Sequence, residues 1–191
     1  AGGAPAHRDL LAADALVIFD GPEHPSARPT IVHGNRGIAT ATLTVFGPKA
    51  PLHSGHYGNY APNPAMALAQ LLASMKDADG RVLVAGYYDG VELTSDDRAE
   101  LARTPDDETA LRKRLGIARP ERVGNTYQEA LQYPSLNVRG LAAAGVGPKA
   151  ANVLPDTAVA ELDFRTTPDT DGARLQELVR AHIERQGWHL V

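Results

Sequence analysis

From Arg36 to Phe46 apolar and polar positions alternate: Ile38, Ala41, Leu43 and Val45 sit among Thr40, Thr42 and Thr44. The register slips at Ala39-Thr40-Ala41, but a period near two with β-branched residues predicts a long strand. Gly47-Pro48 ends it. After Asn63 the period changes. Ala65, Leu68, Leu72 and Met75 recur at helical spacing with Leu71 beside them. Asn63 suits the N-cap, Pro64 the first helical position, and Gly80 stops the element. Arg81–Tyr88 reads as a short strand. Ser135–Leu141 alternates again, and so does Thr157–Thr166, where Val159, Leu162 and Phe164 are expected to be buried although Glu161-Leu162 blurs the register. Asp169–Gln186 is amphipathic, with Leu175, Leu178, Val179, His182 and Ile183 on one face and Gly187 as the stop. Trp188–Val191 begins a final strand.

Between these segments the pattern is weaker. Asp14–Asp20 is a short apolar run ending in an acid, which predicts a buried strand with a carboxylate at its C-terminal end. Gly21–Pro29 holds three prolines and reads as a linker, so the domain organisation expected is a strand-bearing remnant and linker over 1–29 and a second domain over 30–191. Within the latter, Thr94–Tyr133 reads as a small helical insertion. Ser95 caps a short charged helix, Thr104–Asp107 opens another that carries Leu111 and Leu115 and stops at Gly116, and a third covers Thr126–Gln132. Ala142–Ala151 is a glycine-containing loop. With the insertion set aside, the order reads β-α-β-β-α-β. That is an α+β, ferredoxin-like arrangement, an antiparallel sheet with two helices on one face.

Composition narrows the classes of function. The 191 residues are 43% hydrophobic but only 5% aromatic, so the core is expected to be aliphatic and alanine-rich. The net charge of −4 and the lack of a basic block argue against nucleic acid or an anionic membrane as partner. No apolar run approaches the ~20 residues of a membrane-spanning helix. The absence of cysteine excludes disulfides, thiol nucleophiles and thiolate-bound metal, without fixing a compartment. Ala1–Ala6 has no apolar stretch of the kind a signal peptide needs. As the sequence does not begin with Met, it is expected to be a processed chain or a piece of a longer one.

The chemistry concentrates in Leu52–Asn59, which places His53, His56, Ser54, Tyr57, Gly55 and Gly58 in a turn-rich loop between a strand and a helix. Glycines there allow close approach of backbone to ligand, and histidine can donate to a developing negative charge. His53-x-x-His56 resembles paired metal ligands, but such pairs normally share a helix face and no carboxylate lies nearby to complete a site. His7-x-Asp9 has ligand spacing without a strand to hold it. Gly145–Lys149 lacks the Gly-Lys-Ser/Thr end of a phosphate loop, and Pro148 removes a needed N–H. Asp96-Asp97 and Asp106-Asp107 fall in first turns of helices, where acids complement the dipole. His182, on an apolar helix face, reads as a core histidine.

Arg36-Gly37 opening a strand, Leu52-His53-Ser54-Gly55 with Tyr57-Gly58, Asn63-Pro64 opening a helix, and Asn152-Val153-Leu154-Pro155 followed by Phe164-Arg165 together resemble the lid of M20-family metallopeptidases. That family includes dipeptidases, carboxypeptidases and deacylases, and the resemblance runs from about Asp14 to Val191. It implies a zinc-dependent hydrolase of peptide or N-acyl amino acid amide bonds, with two zinc ions in a catalytic domain and a lid that forms a homodimer. This chain would be essentially the lid, inactive by itself and holding few of the metal ligands. The resemblance assigns Asp20 to a zinc ligand and His53 to a donor toward the oxyanion in the partner subunit's site. It assigns Asn152 to a substrate contact and Arg165 to the grip on a substrate carboxylate. His56 has no counterpart and reads as structural. A stand-alone ferredoxin-like binding or assembly module without catalysis is the alternative, because the fold alone does not decide between them.

Overall fold

The computed structural model describes residues 12–15, 24–30, 32 and 34–191. The chain divides into two compact units, residues 1–32 and 33–191. In the first, the expected strand at 14–20 lies outside the described residues beyond position 15, and 24–30 is irregular backbone with one turn.

The second unit is built on a three-stranded antiparallel sheet of β1 (Gly37–Phe46), β3 (Ser135–Ala142) and β5 (Thr157–Thr166), in the order β1-β5-β3. A separate two-stranded ribbon pairs β2 (Leu52–His53) with β4 (Val153–Leu154). The helices are α1 (Ser54–Tyr57), α2 (Pro64–Met75), α3 (Ser95–Leu101), α4 (Glu108–Leu115), α5 (Tyr127–Leu131) and α6 (Gly172–Arg185).

The strand period sorts side chains to two faces. Ala158, Ala160, Leu162 and Phe164 of β5 face the helices and are almost fully buried. They meet Val45 and Leu136 of the flanking strands, Leu68, Leu71 and Met75 of α2, and Leu175, Val179 and Ile183 of α6. Both helices therefore cover one face of the sheet, as expected. Small residues set how closely they lie. A Cβ added at Gly172, where α6 begins, would fall 2.8 Å from the Ala39 Cβ, so the helix start rests directly on β1. His182 is a buried core histidine, as its position suggested: its Nε2 lies 2.9 Å from the Ser74 Oγ of α2.

Three expectations about strands need correction. Arg81–Tyr88 is not a strand. Val82 makes one isolated bridge to Lys76, and Gly86 then turns the chain at φ 77°. Its apolar pattern reflects burial of Val82, Val84 and Tyr87 in the core, with Gly86 held by a hydrogen bond from Arg174 Nη2 to its carbonyl. Trp188–Val191 forms no ladder either; Trp188 and Leu190 pack against the core from irregular backbone. Val159 points away from the helices, since a period of two cannot place it beside Leu162. Glu161 shares that outer face, where it accepts a hydrogen bond from Thr42 Oγ1 at 3.1 Å. A register shift between Val138 and Gly140 accounts for the remaining irregularity.

The insertion forms the three helices its capping residues predict. Thr94, rather than Ser95, is the first cap, in a reciprocal box with Asp97. Asp107 caps α4, which ends at Gly116 with φ 68°, and Thr126 caps α5. The buried Glu129 ties the insertion together through Arg98 at 2.7 Å and the Asn125 N–H at 2.9 Å.

Candidate active-site surfaces

The loop around His53 is more ordered than its composition suggests. Leu52 pairs with Leu154 and His53 with Val153 in the ribbon, and the Ser54 N–H donates to the Asn152 carbonyl at 2.9 Å. Leu154 and Pro155 are buried, which anchors the ribbon from the β4 side. The chain then turns into the single helical turn α1, whose N-cap is His53 itself: Nδ1 accepts the Gly55 N–H at 3.1 Å. The ring of His56 lies against that of His53, with centroids 4.6 Å apart and planes 34° apart. His53, His56 and Asn152 are all exposed. Two of the residues singled out from the sequence, His53 and Asn152, are thus brought together by direct backbone bonding.

Arg165 lies elsewhere. It sits near the other end of β5, paired with Ile38 on one side and Ser135 on the other. The ribbon follows the end of the sheet where Phe46 pairs with Thr157, and eight residue steps of extended strand, about 27 Å, lead from Thr157 to Arg165. The Arg165 side chain is 43% exposed, with Nε 3.7 Å from Asp163 Oδ1. Asp163 also accepts from Asn137 Nδ2 at 3.2 Å.

Arg36 is the residue whose part in this corner the sequence reading missed. One strand step beyond β1, it falls on the same sheet face as Arg165, and its Nη2 donates to the Tyr133 carbonyl at 2.7 Å. Burial and the nearby Arg165 charge push its pKa down. Arg36 Nε and the Tyr87 hydroxyl are buried without a hydrogen-bond partner among the described residues, and burial pushes the Tyr87 phenol well up. The Arg36-Gly37 pair was visible only as a strand opening; its closeness to Arg165 follows from strand register, which no local pattern reveals.

Asp20 lies outside the described residues. Among the described residues no group of three or more His, Asp or Glu side chains converges to hold a metal ion. His53 and His56 have no third ligand among the described residues, and the Nδ1 of His53 is already occupied by a backbone amide.

The sequence matches the peptidase dimerisation domain of the M20 family over residues 33–188. The chain belongs to the M20 peptidase dimerisation domain family. Its fold matches a solved M20 family metallo-carboxypeptidase from Sulfolobus solfataricus with a TM-score of 0.77 and 29% identity, covering 97% of this chain and 49% of that one. A Cys-Gly metallodipeptidase of Schizosaccharomyces pombe is 26% identical over 95% of this chain and 39% of its own length. The human Beta-Ala-His dipeptidase is 27% identical over 93% of this chain and 36% of its own. The chain thus spans less than half the length of these relatives. The resemblance read from the His-Ser-Gly loop, Asn-Val-Leu-Pro and Arg165 is borne out at the level of the family.

Proposed function

We propose that this chain is the lid and dimerisation region of a metal-dependent M20-type peptidase or amidohydrolase. In this reading the lid supplies two separate pieces of substrate recognition. His53 donates a hydrogen bond to the oxyanion that forms as the scissile carbonyl becomes tetrahedral, and Asn152, beside it, contacts the substrate near the same group. Arg165 grips a substrate carboxylate, for which its planar fork is suited. Such a substrate is a peptide or an N-acyl amino acid. The described residues do not form a metal site, so the metal ions, zinc in this reading, are held by other parts of the enzyme, with Asp20 contributing one ligand.

The observation that carries the proposal is the separation of the two pieces. His53 and Asn152 are bonded into one corner, whereas Arg165 lies toward the opposite end of β5. A dipeptide is only about 7 Å long, at ~3.5 Å per residue, and does not reach from one to the other along the strand. In this reading one substrate meets His53 of one copy and Arg165 of another, and the separation supports a dimer as part of the mechanism. Replacing His53→Ala in the full-length enzyme is expected to lower kcat by about 10²–10³, the usual loss for an oxyanion donor. An unchanged kcat would overturn the role of His53.

A further inference from the structure

We infer that the Gly55 amide fixes the tautomer of His53, so that its hydrogen sits on Nε2, with the His56 ring holding the plane. This rests on the reading of His53 as a donor and names what makes it one. A backbone N–H only donates. The 3.1 Å bond from Gly55 to Nδ1 therefore requires a lone pair on Nδ1. A neutral imidazole carries one ring hydrogen, which must then be on Nε2, the nitrogen turned away from the cap. A hydrogen on Nδ1 would set one N–H against another and break the cap. The His56 ring, tilted 34° to that of His53 with its centroid 4.6 Å away, limits rotation about the Cβ–Cγ bond. The outcome is an oriented Nε2–H donor. It stabilises an oxyanion by hydrogen bonding and keeps its own proton throughout.

Gly55 also has a steric part. A Cβ there would stand 2.9 Å from Cε1 and 3.1 Å from Nδ1 of His53. Any side chain at this position moves the ring off the cap, although the amide remains. Gly55 and His56 are positioning residues on this account.

The direct test is a long-range proton–nitrogen correlation spectrum of the full-length enzyme labelled with ¹⁵N-histidine, with His53 assigned by the signal lost in His53→Gln. The expected pattern is a bare Nδ1 and a hydrogen-bearing Nε2 around neutral pH. A hydrogen on Nδ1, or two tautomers in rapid exchange, would overturn the inference. The tautomer is read from the wild-type spectrum, and the His53→Gln spectrum serves only to assign it. Gly55→Ala is expected to mix the tautomers and to lower kcat with little change in KM. His56→Ala is expected to loosen the ring and His56→Phe to restore it. A Gly55→Ala enzyme that folds and keeps one Nε2–H form with full kcat refutes the positioning role. Hydrogen on Nδ1 in an enzyme that His53→Ala cripples sinks the inference alone. The Nε2–H form in an enzyme indifferent to His53→Ala sinks the functional reading instead.

Discussion

If one substrate meets His53 from one copy and Arg165 from the other, two crippled variants must rescue each other. The perturbation is His53→Ala in one copy of the full-length enzyme and Arg165→Met in the other. Each homodimer is impaired at both sites. Loss of the oxyanion donor costs about 10²–10³ in kcat. Loss of a charge-assisted hydrogen bond to a carboxylate costs about 1.5–3 kcal/mol, roughly 10- to 150-fold in kcat/KM. In a heterodimer made of one copy of each, the two-fold axis places both lesions in one site and leaves the other site native. Co-expressing the two variants with different tags and isolating the doubly tagged dimer should therefore return about half the wild-type activity per dimer. This arithmetic depends on the length of β5. If His53 and Arg165 of the same copy served one substrate, both sites of the heterodimer would carry a lesion and its activity would stay at the level of the homodimers. That outcome would refute the two-copy site, whatever the activity of each single variant.

Three further predictions concern the scaffold. The Ser74 hydroxyl donates its one hydrogen to the Leu71 carbonyl at 2.7 Å, so its oxygen accepts from His182 Nε2. Ser74→Ala should then strand a buried donor and lower stability by about 1–3 kcal/mol in urea unfolding, whereas adding His182→Leu should recover part of that loss; a strictly additive pair would refute the assignment. Burial and then the nearby Arg185 push the His182 pKa down. Its unfolded form therefore binds more protons at mildly acidic pH. The stability contribution is full above about pH 6.5 and is lost as pH falls through the lower folded pKa, so unfolding midpoints of wild type and His182→Leu should diverge between neutral and acidic pH. Gly172→Ala, with its Cβ set 2.8 Å from that of Ala39, should lower the thermal midpoint by an amount equivalent to about 1–3 kcal/mol.

Elements whose signals are local were legible in the sequence. Asn63-Pro64, Asp107 with Gly116, and Thr126 each carry their helix boundary in one or two side chains, and β5 has the bounds its alternation predicts. The residues at 81–88 misled because apolar content reports burial and not hydrogen bonding. Val82, Val84 and Tyr87 are as buried as strand residues, yet the backbone between them turns at Gly86. The ribbon of β2 and β4 was invisible for a different reason. It joins two-residue segments about a hundred positions apart, and neither is long enough to show a period.

The same distinction separates what the sequence shows of the site from what it hides. His53, Asn152 and Arg165 stand out as residue types in motifs, because chemistry needs those side chains. The features that give them direction are backbone features: the amide of Gly55, the carbonyl of Asn152, and the strand register that sets Arg36 beside Arg165. Every residue supplies a carbonyl and every residue but proline an N–H, so composition carries no mark of them. What the sequence does retain is the steric condition for their use. Gly55 is such a mark, since a side chain there would collide with the ring its amide holds. A glycine two residues after a candidate catalytic histidine, at the start of a helical turn, is therefore informative about the histidine's tautomer as well as about chain flexibility. The Gly55→Ala spectrum tests that rule directly, because it keeps the amide and removes only the space.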